Sequence, residues 1–294
     1  MSEEILINVT PVETRVALVE NGMLQEAYIE RTSRKGIVGN IYKGKVVRVL
    51  PGMEAAFVDI GLERAAFIHA SDVVPSQSNG DEPADIPKTV PDIRSLLREG
   101  QSLVVQVTKD PIGTKGARLT TQLSIPSRYL VFMPGVSHVG ISQRIEDDTE
   151  RARLKTLVEE AAAEDPDVQG GYIIRTAAEA ASPEDLIGDM AYLHRLSQSI
   201  HERIARVQAP AVVYQDLPLF IRTIRDLIRP QTEPRQLCAQ LGLHHTGARA
   251  DHMLQRRFMD DQFVHLMLCK EPDAQFAGVD RLALEQHQTV GEQL

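Results

Sequence analysis

The segment from Gly36 to Asp72 constrains the fold of this chain more than any other part of the sequence. It reads GIVGNIYKGKVVRVLPGMEAAFVDIGLERAAFIHASD, in which turn residues at Pro51-Gly52 and Gly61 separate short apolar runs. Short strands at such close intervals are typical of a small barrel, whose closure leaves no strand edge unpaired. The segment therefore predicts a barrel made largely of β-structure.

Strand signals continue on both sides of this block. Residues 5–30 contain three alternating runs, and Asn21-Gly22 between the second and third run is the strongest short-range signal for a hairpin. The Pro- and acid-rich residues 75–92 predict an exposed loop, after which strand-like sequence resumes around a turn between Gly113 and Gly116. We expect the barrel to close near residue 125.

The sequence after the barrel predicts mixed α and β structure. Strands are expected at 128–134 and 171–176, with an amphipathic helix between them. Ser182, Pro183 and an acid three residues after Ser182 mark the start of a helix that runs to about Val207. A last helix, LPLFIRTIRDLI, is expected to bury one apolar face made of Leu217, Phe220, Ile221, Ile224, Leu227 and Ile228.

Composition and charge narrow the function classes. No run approaches the roughly 18 apolar residues of a membrane-spanning helix, and MSEEILINV lacks the pattern of a secretory signal, so we expect a cytoplasmic protein. Cys238 and Cys269 have no CxxC partner, which argues against a disulfide framework. The formal charge of −9 disfavours nucleic acid as a partner, yet the stretch from Arg31 to Arg48 has six basic residues and no acid.

Three aromatic residues accompany these bases: Tyr42, Phe57 and Phe67, in a chain with only 4% aromatics. An exposed ring can stack on an unpaired base for about 1–3 kcal/mol while lysine and arginine neutralise phosphates. This combination indicates binding of single-stranded nucleic acid. The alternative for either phenylalanine is burial in the barrel core, which is the commoner place for a ring in an alternating strand.

Five strings follow one another along the chain: the block at 36–72, TKGARLTT, SRYLVFMPG, ISQRIED and GGYIIRTAAE. In this order they resemble the ribonuclease E and G family, over residues 5 to about 233. The resemblance implies an α+β fold, namely an RNase H-like scaffold with an inserted OB-fold β-barrel of the ribosomal protein S1 type and a mixed α/β 5′-sensor subdomain. The implied domains are RNase H-like N-terminal strands (1–35), the OB-fold RNA-binding domain (36–125), the 5′-sensor subdomain (126–212), the start of the returning RNase H-like helical part (213–233) and a tail of unassigned fold (234–294).

The resemblance also implies roles for individual residues. Phe57 and Phe67 match the family's base-stacking aromatics, and Lys115 and, more weakly, Lys109 match its basic contacts to the RNA backbone. The positions that match its sensor for a 5′-terminal monophosphate are Val131, Arg144, Arg175 and Thr176. A guanidinium fork beside a hydroxyl suits a phosphate, whereas the alternative for Arg175 is an ordinary surface salt bridge. Gln143 stands where one branch of the family has a further arginine.

The catalytic centre of the family cannot be carried over to this sequence. The family cleaves RNA by metal-assisted hydrolysis, in which two aspartates hold a magnesium ion. Neither of its nuclease strings, resembling Val-Asp-Ile-Asn and Asp-Phe-Ile-Asp-Met, occurs in this sequence, and VDIG at 58–61 belongs to the predicted barrel. No catalytic residue and no metal ligand is therefore assigned. The zinc-binding cysteine motif that joins family subunits is also missing, which leaves the family's homo-oligomer in doubt.

The composition changes after about Glu233, since both cysteines and five of the nine histidines fall in the last 62 residues. Asp260-Asp261 could hold a metal ion, and His265 with Cys269 could supply half of a zinc site. Cys238 and His252 would then complete that zinc site. The commoner explanation is that this tail does not continue the family's fold because the reading frame is shifted or the gene is broken. Translation of the other two frames tests that explanation.

Two functions remain open at the level of sequence. The resemblance implies a single-strand-specific endoribonuclease that prefers 5′-monophosphorylated RNA, uses magnesium and acts in rRNA processing and RNA turnover. The alternative is a truncated, non-catalytic RNA-binding module, because the magnesium-binding aspartates are absent from the sequence. Single-stranded RNA is the expected partner in both cases.

Overall fold

An antiparallel three-stranded sheet begins the chain in the computed structural model, which describes residues 3–74, 92–164 and 170–227. Its strands, in spatial order, are β1 (Glu3–Val9), β2 (Glu13–Glu20) and β3 (Met23–Arg31). Asn21 (φ 51°) and Gly22 (φ 79°) both adopt left-handed conformations, as a two-residue type I′ turn requires. The hairpin predicted from Asn-Gly is confirmed.

Five strands form a closed barrel after this sheet. They are β4 (Ile41–Leu50), β5 (Ala55–Asp59), β6 (Ala66–His69), β7 (Ser102–Lys109) and β8 (Arg118–Thr120). Their order is β4-β5-β6-β8-β7, and β7 pairs again with β4, so that no barrel edge stays open. The predicted barrel is confirmed, and its last strand ends at Thr120. A single turn, α1 (Ile93–Leu96), packs against β4.

The barrel core is formed mainly by aliphatic residues at inward positions. Val58, Ile68 and Leu119 are fully buried, and each such side chain stabilises the fold by about 1.5–3 kcal/mol. Gly116 permits the closest approach in this region, because a Cβ there would lie 2.0 Å from the carbonyl oxygen of Ala65. Only glycine lets the chain pass β6 at this distance, and it thereby fixes the start of β8.

A second, four-stranded sheet follows the barrel. It contains β9 (Ile125–Pro126), β10 (Leu130–Pro134), β11 (Val139–Ile141) and β12 (Gly170–Ile174), in the order β11-β12-β10-β9. Two helices, α2 (Asp148–Glu164) and α3 (Pro183–Arg206), pack against it. The side chain of Ser182 accepts the amide of Asp185 at 3.2 Å, which confirms the predicted start of α3. The predicted strands and both helices of this region are confirmed within two residues at each end.

The last described elements return to the earlier parts of the fold. β13 (Ala211–Tyr214) pairs antiparallel with β4, and α4 (Leu219–Leu227) packs against β2. Of the apolar face predicted for α4, Leu217, Phe220, Ile221 and Ile224 are buried and Leu227 is half-buried. Thr223 and Arg225 are buried as well. The prediction of one buried face is therefore incomplete, because α4 is covered on a second side where Arg225 reaches the carbonyl oxygen of Pro126 at 3.3 Å.

Several sequence predictions lie outside the described residues. They are the loop at 75–91, the continuation of the last helix at Ile228 and the whole tail at 234–294. Within the described residues, none of the helices is both long and apolar enough to cross a membrane.

Candidate nucleic-acid interface

The two phenylalanines of the barrel form a pair on its outer surface. Phe57 and Phe67 lie directly opposite each other on β5 and β6, with ring centroids 6.2 Å apart in an edge-to-face arrangement. Both rings are half-buried, whereas the residues before and after each of them are buried in the core. Alternation along the strands therefore turns the two rings away from the core, toward the surface of the barrel.

The strand register extends this pair into a row across all five barrel strands. Arg48 is the partner of Phe57 on β4, and Arg118 is the partner of Phe67 on β8. Lys109 on β7 is in turn the partner of Arg118. The row therefore reads Arg48, Phe57, Phe67, Arg118, Lys109, and we call it the cross-strand row. It consists of two rings flanked by cations, and the three cations are exposed.

Sequence reasoning missed Arg48 and Arg118 as members of this surface. In the sequence Arg48 is only one member of a basic stretch, and Arg118 has no pattern that singles it out. Strand pairing decides which residues stand side by side, and pairing is interrupted by bulges at Val46/Arg48 and Val107/Lys109. A bulge inserts an extra residue and so changes which face of the sheet the following side chains point to. Alternation alone therefore does not place these cations.

Arg118 is held in place by an acidic neighbour. Its Nε and Nη2 both donate to Oδ2 of Asp72, at 3.0 and 2.9 Å. The carboxylate orders the guanidinium beside Phe67 and offsets part of its charge. Lys109 and Lys115 differ in this respect, because neither forms an ion pair within the described residues, and both are exposed.

Lys115 belongs to a tight turn next to the cross-strand row. The backbones of Ile112 and Lys115 exchange hydrogen bonds, with N–H to O distances of 3.2 and 3.0 Å. Arg64 reaches over to donate to the carbonyl oxygen of Gly113 in the same turn. The turn follows β7, which ends at Lys109, so the two lysines predicted to contact RNA belong to neighbouring segments of the barrel.

The four predicted sensor residues gather at one end of the second sheet. Val131 lies at the start of β10, and Arg175 and Thr176 follow the end of its neighbour β12. β11 runs parallel to β12, so the loop after β11 that carries Arg144 leaves the sheet at this same end. The amide of Arg175 donates to the carbonyl oxygen of Tyr129 at 2.8 Å, which ties the two segments together. Arg144 and Thr176 are exposed there.

The guanidinium of Arg175 already has protein partners. Its Nη1 donates to the carbonyl oxygens of Ser127 and Arg128, the latter at 3.3 Å, and to Oδ1 of Asp226 at 2.9 Å. The salt bridge considered as the alternative for this residue is thus present. It engages one nitrogen only, because Nε and Nη2 of Arg175 have no hydrogen-bond partner within the described residues.

A buried carboxylate fixes the loop that Arg175 contacts. Asp189 of α3 accepts hydrogen bonds from the hydroxyl of Ser127 and from the amides of Tyr129 and Leu130, the last two at 2.9 and 3.0 Å. Burial raises the pKa of Asp189, and these donors act against that rise. Residues 127–130 are therefore held by two partners. Asp189 accepts their hydrogen bonds, and Arg175 donates to the carbonyl oxygens of Ser127 and Arg128.

The described residues do not fit a magnesium centre. They contain no group of three or more histidine, cysteine, aspartate or glutamate side chains that could hold a metal ion. They therefore support no catalytic step through magnesium. The tail residues considered for metal binding, which are Cys238, His252, Asp260, Asp261, His265 and Cys269, lie outside the described residues.

Comparison with known proteins identifies two regions of the chain. Residues 35–115 match the S1 RNA binding domain, and residues 124–246 match the Ribonuclease E/G family. The chain is 58% identical to the ribonuclease G of Salmonella typhimurium over 235 residues, which make up 79% of this chain and 47% of that protein. It is 37% identical to the ribonuclease E of Escherichia coli strain K12 over 229 residues, or 77% of this chain and 21% of that protein.

These matches confirm the mixed α+β fold with an S1-type OB barrel. The chain spans about half the length of the curated ribonuclease G proteins that it matches, at 47% and 45% of two of them. Among solved structures, an a/eIF2alpha-aDim2p-rRNA complex from Pyrococcus horikoshii matches 56% of the chain at 18% identity, with a TM-score of 0.22 that is too low to establish a shared fold.

Proposed function

Because the chain belongs to the ribonuclease E/G family, we propose that it is an endoribonuclease of the ribonuclease G type that binds single-stranded RNA and recognises a 5′-monophosphate. The barrel binds the RNA, and the end of the second sheet receives the 5′ phosphate. The processes it serves are rRNA processing and RNA turnover. Magnesium is the metal that this family function implies.

The cross-strand row is the observation that carries this proposal. Two surface rings sit between cations on neighbouring strands, so unpaired bases can stack on Phe57 and Phe67 while Arg48, Arg118 and Lys109 meet the phosphates. Bases paired within a duplex cannot reach the rings, which makes the surface selective for single strands. The exposed Lys115 extends the positive charge beyond the row.

The domain organisation is part of the same proposal. The first sheet and α4 are in contact, since the amide of Leu219 donates to Oε2 of Glu30 at 3.2 Å and Arg222 pairs with the same carboxylate at 3.1 Å. This contact supports an RNase H-like scaffold formed by residues 1–35 and 213–233. The OB barrel (36–125) and the sensor subdomain (126–212) are inserted between these two parts.

A second candidate function follows from one observation. Residues 35–115 match the S1 RNA binding domain, so the chain can instead act as an RNA-binding module that does not hydrolyse RNA. The two candidates share the RNA-binding surface and differ only in cleavage.

We expect the chain to bind a short single-stranded RNA more tightly than a duplex of the same sequence. Replacing Lys109 and Lys115 together by glutamine is expected to make the slope of log affinity against log salt less negative by about 0.7 for each lysine. The reason is that the variant neutralises fewer phosphates and therefore releases fewer counterions from single-stranded RNA. Fluorescence titrations at several salt concentrations measure both quantities.

Lys155→Gln is the matched control for the two lysines. Lys155 lies on α2 and pairs with Glu159 at 3.7 Å, away from the barrel strands. The substitution removes one positive charge from the same chain and is expected to leave the salt slope unchanged. Equal binding of duplex and single strand would contradict the proposed function, and an unchanged slope in the double variant would remove the two lysines from the surface.

A further inference from the structure

Asp226, near the end of α4, connects two arginines. Its Oδ1 accepts hydrogen bonds from Nη1 of Arg175 at 2.9 Å and from Nε of Arg225 at 3.1 Å, and its Oδ2 accepts one from Nη2 of Arg225 at 2.9 Å. Arg225 is buried, with 6% of its side chain exposed, while Arg175 and Asp226 are each 30% exposed. The carboxylate of Asp226 thus joins a buried guanidinium, that of Arg225, to a more exposed one, that of Arg175.

Asp226 and the neighbouring loop hold Arg175 by a single nitrogen. The three hydrogen bonds of its guanidinium, to Ser127, Arg128 and Asp226, are all made by Nη1. Within the described residues, Nε and Nη2 are left without a hydrogen-bond partner. These two nitrogens form the edge of the guanidinium that binds two oxygens of one phosphate in parallel.

We infer that Asp226 is a positioning residue of the 5′-phosphate site, which fixes Arg175 through Nη1 and leaves its Nε–Nη2 edge for the phosphate. This inference rests on the proposed function, since it presupposes that Arg175 recognises the 5′ end. It adds a residue from a different part of the chain, 51 positions after Arg175, to that site.

The charges of the cluster formed by Arg175, Arg225 and Asp226 indicate that Asp226 positions Arg175 and does not compete with the phosphate for it. Two guanidinium groups and one carboxylate leave a net charge of about +1, so an approaching phosphate still meets positive charge. Burial alone would raise the pKa of Asp226, but the hydrogen bonds and charge of Arg225, together with those of Arg175, lower it. Asp226 therefore stays ionised, and its charge is already balanced by the buried Arg225.

A positioned guanidinium binds phosphate more tightly than a free one because less rotamer entropy is lost. An arginine side chain that moves freely in water loses up to about 2 kcal/mol of conformational entropy when it is fixed. In this cluster, Asp226 and the carbonyls of residues 127 and 128 have fixed it beforehand. The benefit applies only to RNA with a 5′ phosphate, since RNA with a 5′ hydroxyl does not engage Arg175.

The test measures the ratio of the affinities of the full chain for one single-stranded RNA with a 5′ monophosphate and with a 5′ hydroxyl. Asp226→Ala is expected to lower this ratio by roughly tenfold. Asp226→Asn, which keeps an acceptor oxygen for Nη1, is expected to retain more of the ratio than Asp226→Ala. The affinity for the hydroxyl end is expected to stay unchanged in both variants, because the barrel supplies it.

Two further variants keep the result interpretable. Asp226→Ala leaves Arg225 buried without its counter-charge, so a double variant with Arg225→Met removes that charge and is expected to show the same reduced ratio. Glu150→Gln is the matched control, since it also breaks a carboxylate–guanidinium pair, with Arg153 at 2.6 Å, and does not contact Arg175. It is expected to leave the ratio unchanged.

The outcomes separate this inference from the proposed function. If the ratio is unchanged or higher in Asp226→Ala and in the double variant, while Arg175→Ala abolishes it, Asp226 does not position Arg175 and the sensor assignment stands. If the unaltered chain shows no preference for the monophosphate, the sensor assignment fails, and the role of Asp226 fails with it.

Discussion

Replacing Phe57 and Phe67 together by alanine is expected to weaken binding of single-stranded RNA by on the order of 2–4 kcal/mol. Each ring can stack on a base for about 1–3 kcal/mol, and two rings in contact do not contribute independently. The rings lie 6.2 Å apart on neighbouring strands, which suits stacking of successive bases. Titration of a labelled single-stranded RNA at fixed salt measures the loss.

The matched control for this pair separates stacking from packing. Both rings are half-buried, so their removal also reduces contacts on the barrel surface. Replacing both by leucine keeps most of the apolar volume but removes the flat π-face. We expect the leucine variant to remain folded, with a thermal transition close to that of the unaltered chain, and to lose nearly as much RNA affinity as the alanine variant. RNA binding that survives in the leucine variant would mean that the rings only pack on the barrel surface and do not stack on bases.

The second large effect is expected at Arg175. Arg175→Ala should abolish the preference for a 5′-monophosphate over a 5′-hydroxyl end, because hydrogen bonds to charged groups contribute about 1.5–3 kcal/mol, or roughly 10- to 150-fold in affinity. Arg175→Lys keeps the charge but loses the planar fork, so it should retain only a small part of the preference. Competition titrations with the two RNAs in the same buffer measure the ratio.

Arg206→Ala is the control for the loss of one arginine. Arg206 lies on α3 and pairs with Glu202 at 3.0 Å, and it is not among the predicted sensor residues. It should leave the ratio unchanged, while the affinity for hydroxyl ends should be the same in all these variants. A monophosphate preference that persists in Arg175→Ala would show that the guanidinium serves only its salt bridge with Asp226.

The strands of the barrel could be predicted from local sequence, and its binding surface only in part. Turn residues and alternation locate the strands, and the aromatic content of the block points to Phe57 and Phe67. Arg48 and Arg118 could not be placed beside them, because their positions depend on strand register and on a bulge in β4. The net charge of −9 does not predict this binding surface, because the cations are concentrated on one part of the chain.

The phosphate site, too, could be predicted from the sequence only in part. The family strings point to Arg175, but the residues that hold it come from segments 47 to 51 positions away. Asp226 follows Arg225 in a helix whose pattern predicts one buried apolar face, and nothing in that pattern indicates that this face also covers an ion pair. The role of Asp189 could not be predicted either, because a buried aspartate is recognisable only when the donors around it are known.

The most direct test of the proposed function is to incubate the chain with a short, 5′-monophosphorylated, single-stranded RNA in magnesium and to follow binding and cleavage in the same sample. We predict tight binding that weakens when the RNA carries a 5′ hydroxyl or is paired into a duplex. Cleavage that EDTA abolishes would identify the chain as the endoribonuclease, and binding without cleavage would identify it as the non-hydrolytic module. Binding that is equal for single strand and duplex, and for both 5′ ends, would contradict both candidates.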